Sequence, residues 1–413
     1  MNRVETTALF SELGISKNLL GVLEKLTFIH ATPIQHQVIP AALEGKDVVG
    51  IAQTGTGKTL AFGVPMLQRI GLYRGQGLVI LPTRELALQV DEVFRKIGGA
   101  LGLRTAVLIG GAPMGGQLRQ LRANPHVVIA TPGRLADHLK QKTYALERIT
   151  IIVLDEADRM LDIGFLPEIK RILAAAPKER QTMLFSATMP PEIARIASAF
   201  MKIPLRIEVA PAGTAAANVE HEVFVIQRDS KVQLLEKLLT DNPGTVLVFS
   251  RTKHGAKKIM RSIQDMGHTA AELHSNRSLA QRRAALEGFK SGRFRVLVAT
   301  DIAARGIDVT GISLVINYDL PDNPEDYVHR IGRTGRAGSF GRAISFATPD
   351  ERHDIRQIER LIRKTLPILA LPTLPPRRAL AAPVRPAMPR HQRNFSRRAP
   401  SRPGQKPFQR RMR

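Results

Sequence analysis

The stretch Ala52-Gln53-Thr54-Gly55-Thr56-Gly57-Lys58-Thr59 has the residue types and spacing of a loop that holds a nucleoside triphosphate. Its glycines let backbone N–H groups turn inward around phosphate oxygens; Lys58 would reach the terminal phosphates, and the Thr59 hydroxyl would ligate Mg²⁺. Taken alone, the loop also reads as an ordinary Gly-rich strand-to-helix turn, and Ala52 stands where the general pattern begins with Gly. A second cluster, Asp155-Glu156-Ala157-Asp158, supplies what hydrolysis would need. Asp155 would hold Mg²⁺ opposite Thr59, and Glu156 would take a proton from the attacking water. An isolated acidic tetrad is more simply a solvated turn or helix start; beside Lys58-Thr59 it becomes the other half of a hydrolytic site.

Such residues must be carried by elements that bring their ends together. Apolar runs at 48–51, 78–81, 106–109, 127–130, 151–154 and 183–185 alternate with helix-like stretches from Asp47 to about Glu208. They predict strands buried on both faces of a parallel sheet, with ligands at the carboxyl ends where Gly110, Asp155 and Ser186 stand. Residues 1–46, with helical spacing at Leu19, Leu20, Val22, Leu23 and Leu26, predict a cap on the nucleotide site. Small, uncharged residues at 209–219 predict a flexible linker. A second alternating series, at 223–226, 246–249, 296–299, 314–316 and 343–346, predicts a second domain of the same architecture over 220–365. The fold class expected is α/β, with two tandem parallel-sheet domains, the first over 1–208.

Beyond Lys364 the pattern stops. Residues 371–413 hold twelve Lys or Arg, no Asp or Glu and nine Pro, a composition that cannot bury a core and predicts a disordered basic tail over 366–413. Across 413 residues Lys and Arg outnumber Asp and Glu by 61 to 36, giving a net charge of +25. That excess points to a polyanionic partner, nucleic acid first and an acidic membrane surface second. The chain has no Cys, which excludes disulfides and thiolate metal sites. Its longest apolar runs are strand-sized and no charged-then-apolar leader opens it, so no membrane span or secretory signal is expected and a cytoplasmic protein is the simplest reading.

These clusters, with Thr32-Pro33-Ile34-Gln35, Pro82-Thr83-Arg84-Glu85-Leu86-Ala87, Gly110-Gly111, Thr131-Pro132-Gly133-Arg134, Ser186-Ala187-Thr188, the segment 299–308 and the segment 329–336, occur in one order. The chain resembles the DEAD-box ATP-dependent RNA helicases over residues 10–350, and its second half looks most like their bacterial RhlE-type subgroup. The resemblance implies two RecA-like domains with ATP and Mg²⁺ in the cleft between them. It implies that Gln35 reads the adenine edge and that Phe10, seventeen positions before Thr27, stacks on the ring. Without it, Gln35 reads as a helix-terminal amide and Phe10 as a core aromatic.

Across the cleft it implies that Arg333 and Arg336 act as arginine fingers on the γ-phosphate and that Asp308 accepts from the ribose hydroxyls. Ser186 and Thr188, hydrogen-bonded towards Asp158 and His329, would couple the nucleotide site to strand separation. RNA backbone contacts are implied for Thr83, Arg84, Gly111, Thr131 and Arg134 in the first domain, and for Arg251, Thr300 and Asp301 in the second. The chain departs from the family pattern at Thr27 for Gly, Ala31 for Pro, Ser275 for Gly and Leu279 for Gln. The last leaves Arg282 without its usual amide neighbour unless Gln281 substitutes.

The activity expected is RNA-stimulated ATP hydrolysis coupled to local, non-processive unwinding of short RNA duplexes. Partners would be single-stranded and short duplex RNA, with ribonucleoprotein, ribosome-assembly or RNA-decay assemblies as settings. Two rivals remain at this point: a DNA-directed helicase of the same superfamily and a non-catalytic RNA chaperone. Lys58, Asp155, Glu156, Arg333 and Arg336 argue against the chaperone, because a binding module needs no general base.

Overall fold

In the computed structural model the residues described are 8–53, 55–73, 75–209, 219–304, 309, 311–335 and 340–376. The first sheet contains β1 (Val48–Ile51), β2 (Gln76–Ile80), β3 (Thr105–Leu108), β4 (Val127–Ala130), β5 (Ile149–Leu154), β6 (Gln181–Ser186) and β7 (Leu205–Glu208), in the order β3-β4-β2-β5-β6-β1-β7. The second contains β8 (Val219–Val225), β9 (Val246–Phe249), β10 (Ala270–Leu273), β11 (Val296–Ala299), β12 (Leu314–Asn317), β13 (Gly341–Ala347) and β14 (Ile368–Leu369), in the order β10-β11-β9-β12-β13-β8-β14. Every pairing is parallel.

Alternate residues of each central strand feed different apolar clusters. Val48 and Val79 point into one cluster and Val49 and Leu78 into the other; in the second sheet Leu247 and Val248 divide likewise. A strand with two covered faces needs apolar residues at every position, which is why the central strands read as continuous runs. β7, β10 and β14 lie outside that rule. They are outer strands: β7 alternates as Leu-Arg-Ile-Glu with only Ile207 buried, and β10 buries a charged Glu272 beside His274 and Arg277.

The domain limit expected at 365 needs correction. Leu366 is buried in the second core, β14 pairs with β8, and Gln233 Nε2 donates to the Pro375 carbonyl at 2.6 Å. The second domain therefore continues at least to Pro375. Both ends of the expected linker are also placed: Val209 N donates to Ile51 O at 3.2 Å, and Val219 opens β8, whereas 210–218 and 377–413 lie outside the described residues. Among the described residues no helix is long and apolar enough to cross a membrane.

The segment ahead of β1 explains two departures from the family pattern. Ala31 N donates to Ala8 O at 2.8 Å, a bond that a proline at 31 would lack. Thr27 is exposed with φ at +63°, the left-handed region where a β-branched residue is strained. That strain, about 1–2 kcal/mol, exceeds the extra unfolded-state entropy of a glycine, roughly 0.4–1 kcal/mol. We therefore expect Thr27→Gly to raise the melting temperature by about 2 °C. A lower melting temperature would mean that the Thr27 Oγ1 bond to Leu26 O outweighs the strain.

Candidate active site and nucleic-acid interface

The phosphate loop leaves β1 and enters the helix Lys58–Tyr73. Gly57 sits at φ +92°, and a Cβ there would overlap the Gln35 amide, so both the backbone angle and the close approach require glycine. Gln35 works twice: its Oε1 accepts from Thr32 N at 2.9 Å, closing the N-terminus of the helix Pro33–Leu43, and its Nε2 donates to Gly57 O at 3.0 Å. The helix-terminal reading and a link to the nucleotide loop thus hold together, and the loop is braced by the residue expected to meet adenine.

Lys58 is 6% exposed, its Nζ lies 3.7 Å from Asp155 Oδ1, and among the described residues no hydrogen-bond acceptor reaches it. A buried ammonium left so, at a helix N-terminus in a glycine cradle, fits the terminal phosphates of a bound nucleotide. Thr59 and Asp155 offer one hydroxyl and one carboxylate. That small donor set fits Mg²⁺, which takes its other ligands from phosphates and water. Burial pushes the Asp155 carboxyl up to about 6, with Lys58 opposing the rise and Glu156 adding to it.

Glu156 sits at φ +53°, a left-handed turn that separates β5 from the helix Ala157–Asp162 within two residues. Strain of this kind, of order 1–3 kcal/mol, concentrates where side chains must be aimed for chemistry. Asp158 then closes the link to β6. Its Oδ2 accepts from Ala187 N at 3.1 Å, Thr188 N at 2.8 Å and Thr188 Oγ1 at 3.0 Å, while Asp158 N donates to Ser186 Oγ at 3.1 Å.

His329 and Arg333 line a small pocket together with Arg159 of the first domain and Asp326 and Arg330 of the second. Arg333 is buried, and its Nε donates to His329 O at 3.2 Å. Thr54, Asp308 and Arg336 lie outside the described residues. Phe10 is a correction. Its side chain is 1% exposed within the first-domain core, so no ring face is open for stacking on a base.

Thr83, Gly111 and Thr131 follow β2, β3 and β4 and so gather at one end of the first sheet. Gly111 has φ +74°, and a Cβ there would overlap the Arg84 guanidinium; Arg134 Nη1 donates to Ala112 O at 3.0 Å. Thr83 caps the helix Arg84–Gly99 by accepting from Leu86 N at 3.3 Å. In the second domain Thr300 follows β11, whereas Asp301 needs correction: its carboxylate is held by two nitrogens of buried Arg330, and a carboxylate would repel phosphate. Its side chain positions the segment. Arg251 is already engaged by Glu351 at 2.9 Å and Asp322 at 3.1 Å.

The residues that sequence reasoning missed lie where the domains meet. Arg282 Nη2 donates to Glu85 Oε2 at 2.8 Å, and Arg159 Nη1 to Asp326 Oδ1 at 2.7 Å, all four residues being buried. The available signal was adjacency: Glu85 lies inside the motif 82–87, Arg159 directly follows Asp158, and Asp326 precedes His329 by one helical turn.

Residues 32–196 match the DEAD/DEAH box helicase family and residues 230–338 the helicase conserved C-terminal domain. The CshA DEAD-box ATP-dependent RNA helicase of Bacillus cereus is 44% identical over 368 residues, 88% of this chain and 70% of that protein. The chain belongs to the DEAD-box ATP-dependent RNA helicases. CshA of Bacillus subtilis is similar at 43% identity, over 89% of this chain and 75% of its own. Among solved DEAD-box structures, S. cerevisiae Dbp5 bound to RNA and ADP BeF3 matches with a TM-score of 0.80 at 30% identity, over 87% of this chain and 95% of that one. Mss116p bound to ssRNA and AMP-PNP matches at 0.81 and 26% identity, over 89% and 81%. A DEAD box protein from Methanococcus jannaschii is 37% identical over 88% and 99% of the chains yet reaches only 0.52. By TM-score the three-dimensional arrangement of this DEAD-box chain is nearer the RNA-bound pair than the more identical Methanococcus jannaschii protein.

The departure at 279 bears on that arrangement. Gln281 does not substitute for the missing amide, since its side chain closes the helix cap with Ser278. Leu279 packs on the first-domain core, while Glu85 Oε1 and Arg282 Nε, both buried, have no hydrogen-bond partner among the described residues. A glutamine at 279, one turn before Arg282, can accept from one and donate to the other. Two such bonds, about 1–3 kcal/mol each, outweigh partial loss of a leucine contact of about 1 kcal/mol. Leu279→Gln is therefore expected to tighten RNA binding with a non-hydrolysable ATP analogue by about tenfold, one unit on the scale set by 1.4 kcal/mol. A fall in RNA-stimulated ATPase would show the apolar seat dominating.

Proposed function

We propose that this helicase uses ATP as a conformational clamp for local, non-processive unwinding of short RNA duplexes. The observation that carries the reading is the buried Lys58 ammonium in its glycine cradle, without an acceptor among the described residues and 3.7 Å from Asp155. ATP and RNA bind together, and the domains close because the closed state has the higher affinity for both; one strand is bent and its complement leaves. Lys58 and Arg333, joined by Arg336, stabilise charge on the phosphates, while Glu156 takes a proton from the attacking water. Mg²⁺, held by Thr59 and Asp155, would neutralise phosphate charge.

In the same reading Gln35 and Asp308 recognise adenine and ribose, and the loop residues 52–59 bind phosphate. Thr83, Arg84, Gly111, Thr131, Arg134, Arg251 and Thr300 follow the RNA backbone, where contact to the 2′-hydroxyl selects RNA over DNA. Asp158, Ser186, Thr188 and His329 relay closure. The Asp158 hydrogen bonds to Ala187 and Thr188 support that relay. An RhlE-type subgroup, action in the cytoplasm and substrates among ribosome-assembly or RNA-decay assemblies belong to the proposal; the relatives matched carry the name CshA.

ATPase rates with no nucleic acid, with RNA and with matched DNA test the reading. Stimulation by RNA alone supports it. Equal stimulation by DNA gives the DNA-directed alternative, and no hydrolysis under any condition gives the chaperone.

A further inference from the structure

Arg159 is the third residue of the helix that begins directly after Glu156, and its guanidinium is 3% exposed. The neighbouring Asp158 carboxylate is engaged elsewhere. The Asp158 carboxylate is taken by the main chain of Arg159, Ala187 and Thr188 and by the Thr188 hydroxyl. Instead Arg159 Nη1 donates to Asp326 Oδ1 at 2.7 Å, across 167 residues of chain.

Asp326 lies on the helix Pro324–Ile331, one turn before His329; Arg333 follows the C-cap Gly332, its Nε donating to His329 O at 3.2 Å, and the three residues line one pocket. That helix is fastened to its own domain by Arg330, which bonds Asp301, Asn317 Oδ1 at 3.2 Å and Asp319 O at 2.6 Å. Asp326 fastens it to the first domain.

We propose that Arg159 and Asp326 form a positioning pair that registers Arg333 against the segment carrying Asp155 and Glu156. The inference rests on reading Arg333 as a γ-phosphate ligand. When the domains separate, both charges return to water, so the pair adds little net affinity for closure; its demand is on orientation, since desolvation is offset only when the geometry is met. A misregistered guanidinium leaves substrate binding largely intact and slows the chemical step.

The test uses the full-length protein. Arg159→Gln and Asp326→Asn should each lower RNA-stimulated kcat by about 10- to 100-fold, the size of loss that misplacement by an ångström produces. The KM for ATP should change by less than about threefold. The neutral double variant should be no slower than the slower single, because the first change has already broken the ion pair that the second would break. The charge reversal Arg159→Asp with Asp326→Arg should regain about tenfold over the slower single. Melting temperatures verify folding, and if the reversal does not fold, the neutral cycle decides. Single variants within twofold of the parent, or losses that multiply in the neutral double, overturn the proposal. Arg333→Ala, assayed alongside, reports separately on the γ-phosphate assignment: retained hydrolysis would sink that assignment whatever the cycle shows.

Discussion

Lys58→Ala is expected to lower ATP hydrolysis by about 100- to 1000-fold, whereas Glu156→Gln should hold ATP and RNA while blocking turnover. The two differ because Lys58 acts on the phosphates and Glu156 on the water. Lys58 also acts on its neighbour. It opposes the burial that lifts the Asp155 carboxyl to about 6, so its removal lifts that carboxyl further. A carboxylate ligand is present above its pKa and lost as pH falls through it, and Mg²⁺ binds only the deprotonated form. The parent should therefore lose Mg²⁺-dependent activity as pH falls through about 6, and the residue left in Lys58→Ala should lose it from a higher pH. Nucleotide binding by fluorescence, RNA binding by anisotropy and a pH series separate these effects. If Glu156→Gln lost ATP binding as fully as Lys58→Ala, the division into metal-holding and base roles would be wrong.

Removing residues 377–413 should produce the second large effect. All twelve Lys and Arg of the basic segment 371–413 lie in this stretch, with no Asp or Glu. From its Arg-rich, Pro-broken composition this stretch is expected to bind phosphates without reading bases, and each neutralised phosphate releases counterions. Single-stranded binding loses about 0.7 in the slope of log affinity against log salt per phosphate contact, so losing four contacts flattens it by roughly 3 units. Phe395 and Phe408 would add only minor stacking. The cut belongs after Pro376 and not near Leu369, because Ile368 and Leu369 pair with β8 and Leu374 packs on the second core. The shortened protein should keep RNA-stimulated ATPase at saturating RNA, need more RNA to reach it, and lose unwinding chiefly at low RNA concentration. Parallel salt lines with equal affinity would leave the core as the sole RNA-binding element and make the segment a docking or solubilising tail.

The central strands and the loop 52–59 were legible because their signals are local: a run covered on both faces must be apolar throughout, and a phosphate loop needs its glycines and lysine within a few residues. The outer strands β7, β10 and β14 were not. β10 buries Glu272 only because His274 and Arg277 fold back onto it, and β14 becomes a strand only where β8 offers an edge. Phe10 has a family role and a core role that spacing cannot separate; its 1% exposure does. Asp301 sits in a motif, but its charge is spent on Arg330, which no neighbouring residue announces.

From the sequence alone came the chemistry at each strand end, since residue type and short spacing determine what a loop can donate, accept or coordinate. Tertiary structure decided which of those groups remain available and which are consumed by partners far along the chain. Arg282 meets Glu85 across 197 residues and Arg159 meets Asp326 across 167. Charge neutralisation at such distances follows from domain packing, which brings together side chains whose separation in sequence carries no signal.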